Sequence, residues 1–194
     1  MKTLQERFEE NYAAVEKPAN NKDGFKIEYV YYAPWYLWDC PEAELKKRKQ
    51  KLLAASVCGL IFFLIAGMQR CEANTKLWVG VPGLLGLCAH VVELFGLIMF
   101  LCAKYRTTKM TYSDVNWMLK FAPVARTGMM VLTAIASAVY LAQLEFCWNA
   151  VVALMGYLIS GMTALYVSRT YGTLKLRTER NDTLDELEKQ GRLH

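Results

Sequence analysis

LWVGVPGLLGLCAHVVELFGLIMFLCA, residues 77–103, is an apolar run interrupted only by His90 and Glu93. A helix of a water-soluble core carries its apolar residues every third or fourth position, whereas here they are continuous. About 20 such residues suffice to cross a hydrocarbon layer of about 30 Å, so this run of about 27 predicts a membrane span with length to spare. The excess implies tilt or a kink, and Pro82 lies near its start. Gly80, Gly83 and Gly86 lack side chains that would hold a neighbouring helix away, which suits close helix packing.

Three further runs lie outward from it. LLAASVCGLIFFLIAGM, residues 52–68, is roughly 17 residues long and near the lower limit for a span. Residues 123–144, starting at Pro123, and 147–167 follow, joined through the short turn QLEF. With 54% of its 194 residues hydrophobic and 21% charged, the chain is too apolar and too segregated for a soluble domain. The expected fold is an all-α integral membrane protein: a four-transmembrane-helix bundle with a small cytoplasmic N-terminal head and a short cytoplasmic C-terminal helix.

Basic residues set the orientation, because Lys and Arg are retained on the cytoplasmic side of spans. Lys46, Lys47, Arg48, Lys49 and Lys51 precede the first span; Lys104, Arg106 and Lys109 follow the second; Arg169, Lys175, Arg177 and Arg180 follow the fourth. The opposite loops hold only Arg70 and Lys76 between them. Both ends are therefore expected in the cytoplasm, with the cell membrane as the location. The start of the chain, MKTLQERFEENYAAVEK, has no apolar segment of the kind a cleavable leader carries. The net charge of +5 borders the spans, so the cluster from Lys46 to Lys51 predicts contact with anionic lipid headgroups; nucleic acid is not an expected partner.

Residues 1–38 form the expected head, 39–168 the membrane domain and 169–194 the tail. In the head, residues 2–17 read as a helix, PANNKDG as a loop and 25–31 as a strand. Tyr29, Tyr31, Tyr32, Trp35, Tyr36 and Trp38 crowd together like an aromatic collar at a headgroup boundary. Asp39 and Pro41 suit a helix start, supported by Glu42 with Lys46 and Glu44 with Arg48 at i,i+4. Between the second and third spans, Ser113 or Asp114 is placed to cap a short interfacial helix ending at Ala122 and bending at Pro123. In the tail, Thr183 and Glu186 have capping-box spacing, Leu184 and Leu187 form an apolar edge, and Gly191 is a stop.

Charge inside a bilayer is costly, so ionisable residues within spans are the first place to look for function. His90 and Glu93 share one helix face. Arg126, on the antiparallel third span, lies at a depth comparable to Glu93, so the two are placed to pair. Such a group can relay protons or ions; the alternatives are a clamp for the bundle, or an Arg126 that snorkels to the headgroups. Cys71 and Cys147 fall on the predicted outer side and are placed to form one disulfide if that compartment is oxidising. The chain has six cysteines without any CxxC, which speaks against quinone-linked thiol oxidoreduction. YLISGMTAL, with Ser160 about as deep as His90, offers a faint serine-protease pattern, but Leu158 stands where that pattern needs Gly. Met99, Met129, Met130, Met155 and Met162 read as apolar filling, and the spacing shows no metal ligands and no cofactor motif.

The leading expectation is a non-enzymatic accessory subunit or interaction protein of a membrane complex, with a protein partner or a second copy of the chain. The runner-up is a small oligomeric transporter or channel using His90, Glu93 and Arg126.

Overall fold

The computed structural model describes residues 3–18, 25–143, 147–183 and 189. In chain order the elements are α1 (Leu4–Glu9), β1 (Tyr12–Pro18), β2 (Phe25–Tyr31), β3 (Trp35–Trp38), α2 (Glu42–Met68), a 3-10 turn (Glu72–Thr75), α3 (Leu77–Cys102), β4 (Arg106–Thr107), α4 (Lys109–Gln143), α5 (Trp148–Gly172) and β5 (Leu176–Glu179). They fall into two compact units. The first gathers Met1–Asp39, Ala103–Asp114 and Leu176–His194; the second comprises Cys40–Cys102 and Val115–Lys175.

The four long helices, α2 to α5, are each long and apolar enough to cross a membrane, yet no more than 44% of any of their apolar windows is buried. Their large side chains face outward: Ile61, Leu84, Phe95, Leu132 and Met162 are all exposed. Small or polar residues occupy many of the inward positions, including Ser56, Gly59 and Ala66 on α2, Gly86 and Gly96 on α3, Thr133 and Ser137 on α4, and Gly156 and Ala164 on α5. Lipid tails solvate Leu and Phe as well as a protein interior does, so such helices associate through close backbone approach and shared polar groups.

In the second unit, α2 packs on α5 and on α3. Leu119 of α4 lies against Gly96 of α3, and Met130 of α4 against Gly161 of α5, which closes the bundle. The tightest backbone approach is at Gly156, where a β-carbon would sit 2.8 Å from the Phe62 carbonyl oxygen and 2.8 Å from Ala66 Cβ. The glycines near the start of α3 divide: Gly86 is pressed against Met130, Gly83 makes ordinary contact with Thr133, and Gly80 has open space beside it.

Helix α4 differs from the expected short helix ending at Ala122. It is one helix of 35 residues, passing through Pro123 and starting at Lys109. Thr108 Oγ1 accepts the Thr111 N–H at 3.3 Å, the capping role expected of Ser113 or Asp114. Asp114 instead accepts Arg7 Nη2 at 2.7 Å within the first unit. At the start of α2, Pro41 is the N-cap residue and Arg48 pairs with Glu44 at 2.6 Å.

Among its described residues, the first unit contains the strand expected over 25–31, which is β2, and four strands that the sequence did not reveal. The expected helix over 2–17 ends at Glu9, after which β1 pairs antiparallel with β2 from Tyr12↔Tyr31 to Pro18↔Phe25. Tyr12 and Val15 favour extended backbone, and only the short α1 keeps its Thr3–Glu6 capping box. A three-stranded antiparallel sheet has the order β4-β3-β5, with Tyr36 opposite both Thr107 and Thr178. The aromatic stretch is its core: Trp38 is 2% exposed, Tyr36 stacks on Tyr112 at 5.0 Å between ring centres, and Arg106 lies over the Trp35 ring.

Tyr31 locks this unit. Its hydroxyl donates to the Pro34 carbonyl at 2.7 Å and accepts the Lys109 N–H at 2.9 Å, while Asn181 Nδ2 donates to the Tyr31 carbonyl at 2.9 Å. Burial pushes the Tyr31 hydroxyl above the usual phenol range, and the bond from Lys109 pulls the other way. Of the expected tail helix, Leu184, Glu186, Leu187 and Gly191 lie outside the described residues, as do Leu144, Glu145 and Phe146 of the turn between α4 and α5.

Candidate functional site

Every long helix contributes a polar side chain to one cluster inside the second unit. Ser56 comes from α2, His90 and Glu93 from adjacent turns of α3, Arg126 from α4, and Ser160 and Thr163 from α5. Ser56, Glu93 and Arg126 have no exposed surface, and His90 and Ser160 are 1% exposed. Arg126 therefore does not snorkel.

The Ser56 hydroxyl donates to Glu93 Oε1 at 2.7 Å. His90 Nε2 lies 3.1 Å from the Ser56 carbonyl oxygen and 3.1 Å from Ser56 Oγ. A carbonyl only accepts, so this geometry assigns the imidazole proton to Nε2, which it shares between the two oxygens. Glu93 Oε2 faces Arg126 Nε at 3.3 Å, and Arg126 Nη2 donates to Thr163 Oγ1 at 3.2 Å. Thr163 in turn donates to the Ser160 carbonyl at 2.8 Å.

The helices can hold these groups because Gly59 stands one turn beyond Ser56. A β-carbon there would collide with Thr163 Oγ1 and lie 3.3 Å from Arg126 Nη2. The structure thus brings His90, Glu93 and Arg126 together and adds Ser56, Gly59 and Thr163, which the sequence reading passed over. Their one signal was spacing: Ser56 with Gly59, and Ser160 with Thr163, are small or hydroxyl residues one turn apart within apolar runs.

Chemically, a carboxylate and a guanidinium taken out of water each carry a desolvation cost of several kcal/mol, offset only by mutual attraction and hydrogen bonds. The offset here is incomplete, because Arg126 Nη1 and Ser160 Oγ find no hydrogen-bond partner among the described residues. No hydrogen bond joins Ser160 Oγ to His90 among the described residues, and the imidazole Nε2 is engaged by Ser56. No group of three His, Cys, Asp or Glu side chains able to hold a metal occurs among the described residues.

Two other predicted positions lie elsewhere in the second unit. Cys71 and Cys147 are free thiols on the wall of one cleft of about 400 Å³, together with Arg70, Glu72, Tyr140 and Ala150. In the basic cluster, Lys46, Lys47 and Lys51 are exposed, while Lys49 is buried with its ammonium 4.8 Å from the Phe100 ring centre. No protein-family model, curated protein or solved structure matches this chain.

Proposed function

We propose that this is a multi-pass membrane protein of the cell membrane that serves, without catalysing a reaction, as an interaction subunit of a membrane complex. The observation that carries the reading is the sheet β4-β3-β5. Its strands precede α2, lie between α3 and α4, and follow α5, yet they are hydrogen-bonded to one another. Segments that pair must share one side of a bilayer, so an even number of crossings separates each from the next, as two helices per interval provide. The basic residues around these segments favour the cytoplasm for that side, and so for both ends of the chain.

A chain needing only to span lipid has no use for ordering a loop and both flanks into one folded unit, whose backbone ordering costs about 1–2 kcal/mol per residue. Such a unit offers a rigid surface to a partner. It exposes Leu4, Ile27 and Tyr29, large apolar side chains that water disfavours. Lys46, Lys47 and Lys51 supply attraction to anionic headgroups.

The test is purification of the native assembly in mild detergent with identification of what co-elutes. A stoichiometric partner is expected, and Ile27→Ser combined with Leu4→Ser should lower its recovery at least tenfold without lowering the yield of the chain. Undiminished recovery, or elution of the chain alone, sinks the reading.

A second reading, a small oligomeric transporter or channel, is favoured by the unpartnered Arg126 Nη1 and Ser160 Oγ, buried polar atoms of the sort that line a path for protons or ions. Elution as a homo-oligomer, together with proton or ion flux into proteoliposomes that Glu93→Gln abolishes, would put it first.

A further inference from the structure

We infer that Cys71 and Cys147 are a thiol pair that takes up oxidising equivalents from disulfides, closing into an intramolecular disulfide that fastens one helical hairpin to the other. Cys71 lies in the connection from α2 to α3 and Cys147 is the residue from which α5 starts. The two are far apart in sequence, yet both line the same cleft of about 400 Å³. An independent contact draws their backbones together: Asn149 Nδ2 donates to the Arg70 carbonyl at 3.3 Å, joining the residue before Cys71 to the first turn of α5.

The turn that carries Cys71 is anchored. Asn74 Nδ2 donates to the Ala66 and Gln69 carbonyls at 2.9 and 3.0 Å, and the Tyr157 hydroxyl donates to Asn74 Oδ1 at 3.0 Å, which holds the Cys71 turn against α5. Lys76 pairs with Glu72 at 2.8 Å and lies over the Tyr140 ring on α4. The thiols differ in access, Cys147 being exposed and Cys71 buried at the cleft wall.

That difference orders the chemistry. The Cys147 thiolate attacks one sulfur of an incoming disulfide, such as oxidised glutathione or a protein disulfide, and expels the other sulfur as a thiolate that takes up a proton. The Cys71 thiolate then attacks the Cys147 sulfur of the mixed disulfide and expels the second thiol. Two protein thiols are oxidised and one external disulfide is reduced to two thiols. The orientation proposed above puts this end of the bundle outside the cell, where disulfides persist; the pairing itself does not depend on that orientation.

The experiment uses open membranes carrying the full chain, equilibrated in glutathione buffers from fully reduced to fully oxidised. After an acid quench, free thiols are tagged with a mass-shifting maleimide. The wild type should lose two taggable thiols as one oxidising step and yield a cross-linked Cys71–Cys147 peptide, and its melting temperature should rise by about 5 °C. Cys71→Ser and Cys147→Ser should each abolish the peptide and the rise. Six taggable thiols at every ratio, a mixed disulfide that persists at Cys147, or a bond to another cysteine would overturn the proposal. Sidedness is read separately with a membrane-impermeant maleimide on intact cells: failure to tag reduced Cys147 rejects the outward orientation and leaves the open-membrane result standing.

Discussion

The two units bury different kinds of side chain. The first puts Trp38, Tyr31 and Val15 inside, as a domain surrounded by water does. The second leaves Ile61, Leu84 and Phe95 outside and gives much of its interior to Gly, Ala and Ser, together with His90, Glu93 and Arg126, although Leu97, Phe100 and Leu119 are buried as well. Water expels large apolar surface, so burying it drives folding of the first unit. Lipid has no such preference; what it rejects is the polar group, and what rewards contact between helices is closeness. One chain thus follows two burial rules, the second being the rule that lipid surroundings would impose.

The strongest way to break this contrast is at Arg126. Arg126→Leu leaves the Glu93 carboxylate buried opposite no charge, and should lower stability in lipid by about 4 kcal/mol, read by unfolding in mixed detergent. Glu93→Leu made together with it should recover most of that loss. If the double variant is as unstable as the single, the polar interior is no clamp. Next in size is Gly156→Val, which drives methyl groups towards the Phe62 carbonyl and should cost about 2 to 3 kcal/mol by the same measurement. The smallest effects sharpen the contrast: Val15→Ala should cost about 1.5 kcal/mol, read by proteolysis of the first unit, whereas Ile61→Ala in a bilayer should cost less than about 0.5 kcal/mol although it removes more atoms. Equal losses would mean that the exposed face of α2 is not lipid-facing.

The same contrast explains what was legible in the residues. Long apolar runs are visible without knowledge of tertiary contacts, so α3 was expected over 77–103 and lies at Leu77–Cys102. The juxtaposition of Glu93 and Arg126 followed from depth alone, because antiparallel helices of known rise align their residues by counting. Ser56 and Gly59 gave no such signal, since small residues are common in spans and only the α2–α5 approach shows which of them face inward. The sheet was the least legible part. Strands β3, β4 and β5 have four, two and four residues, too few for alternation to emerge, and each finds its partner across tens of residues of helix. Composition suggests a collar at Trp35, Tyr36 and Trp38 but gives no hint that their rings pack on Arg106 and Tyr112 in the first unit.

The order β4-β3-β5 also has a consequence in time. A ribosome delivers β3 before any helix of the bundle, β4 after two, and β5 only after the fourth. The central strand must wait with one edge unpaired until synthesis has passed Gly172, and a chain that had inserted an odd number of its helices would hold β5 across the bilayer from its place. Completion of the sheet therefore records parity: wherever the helices cross a bilayer, an odd count in either interval leaves an edge of β3 open.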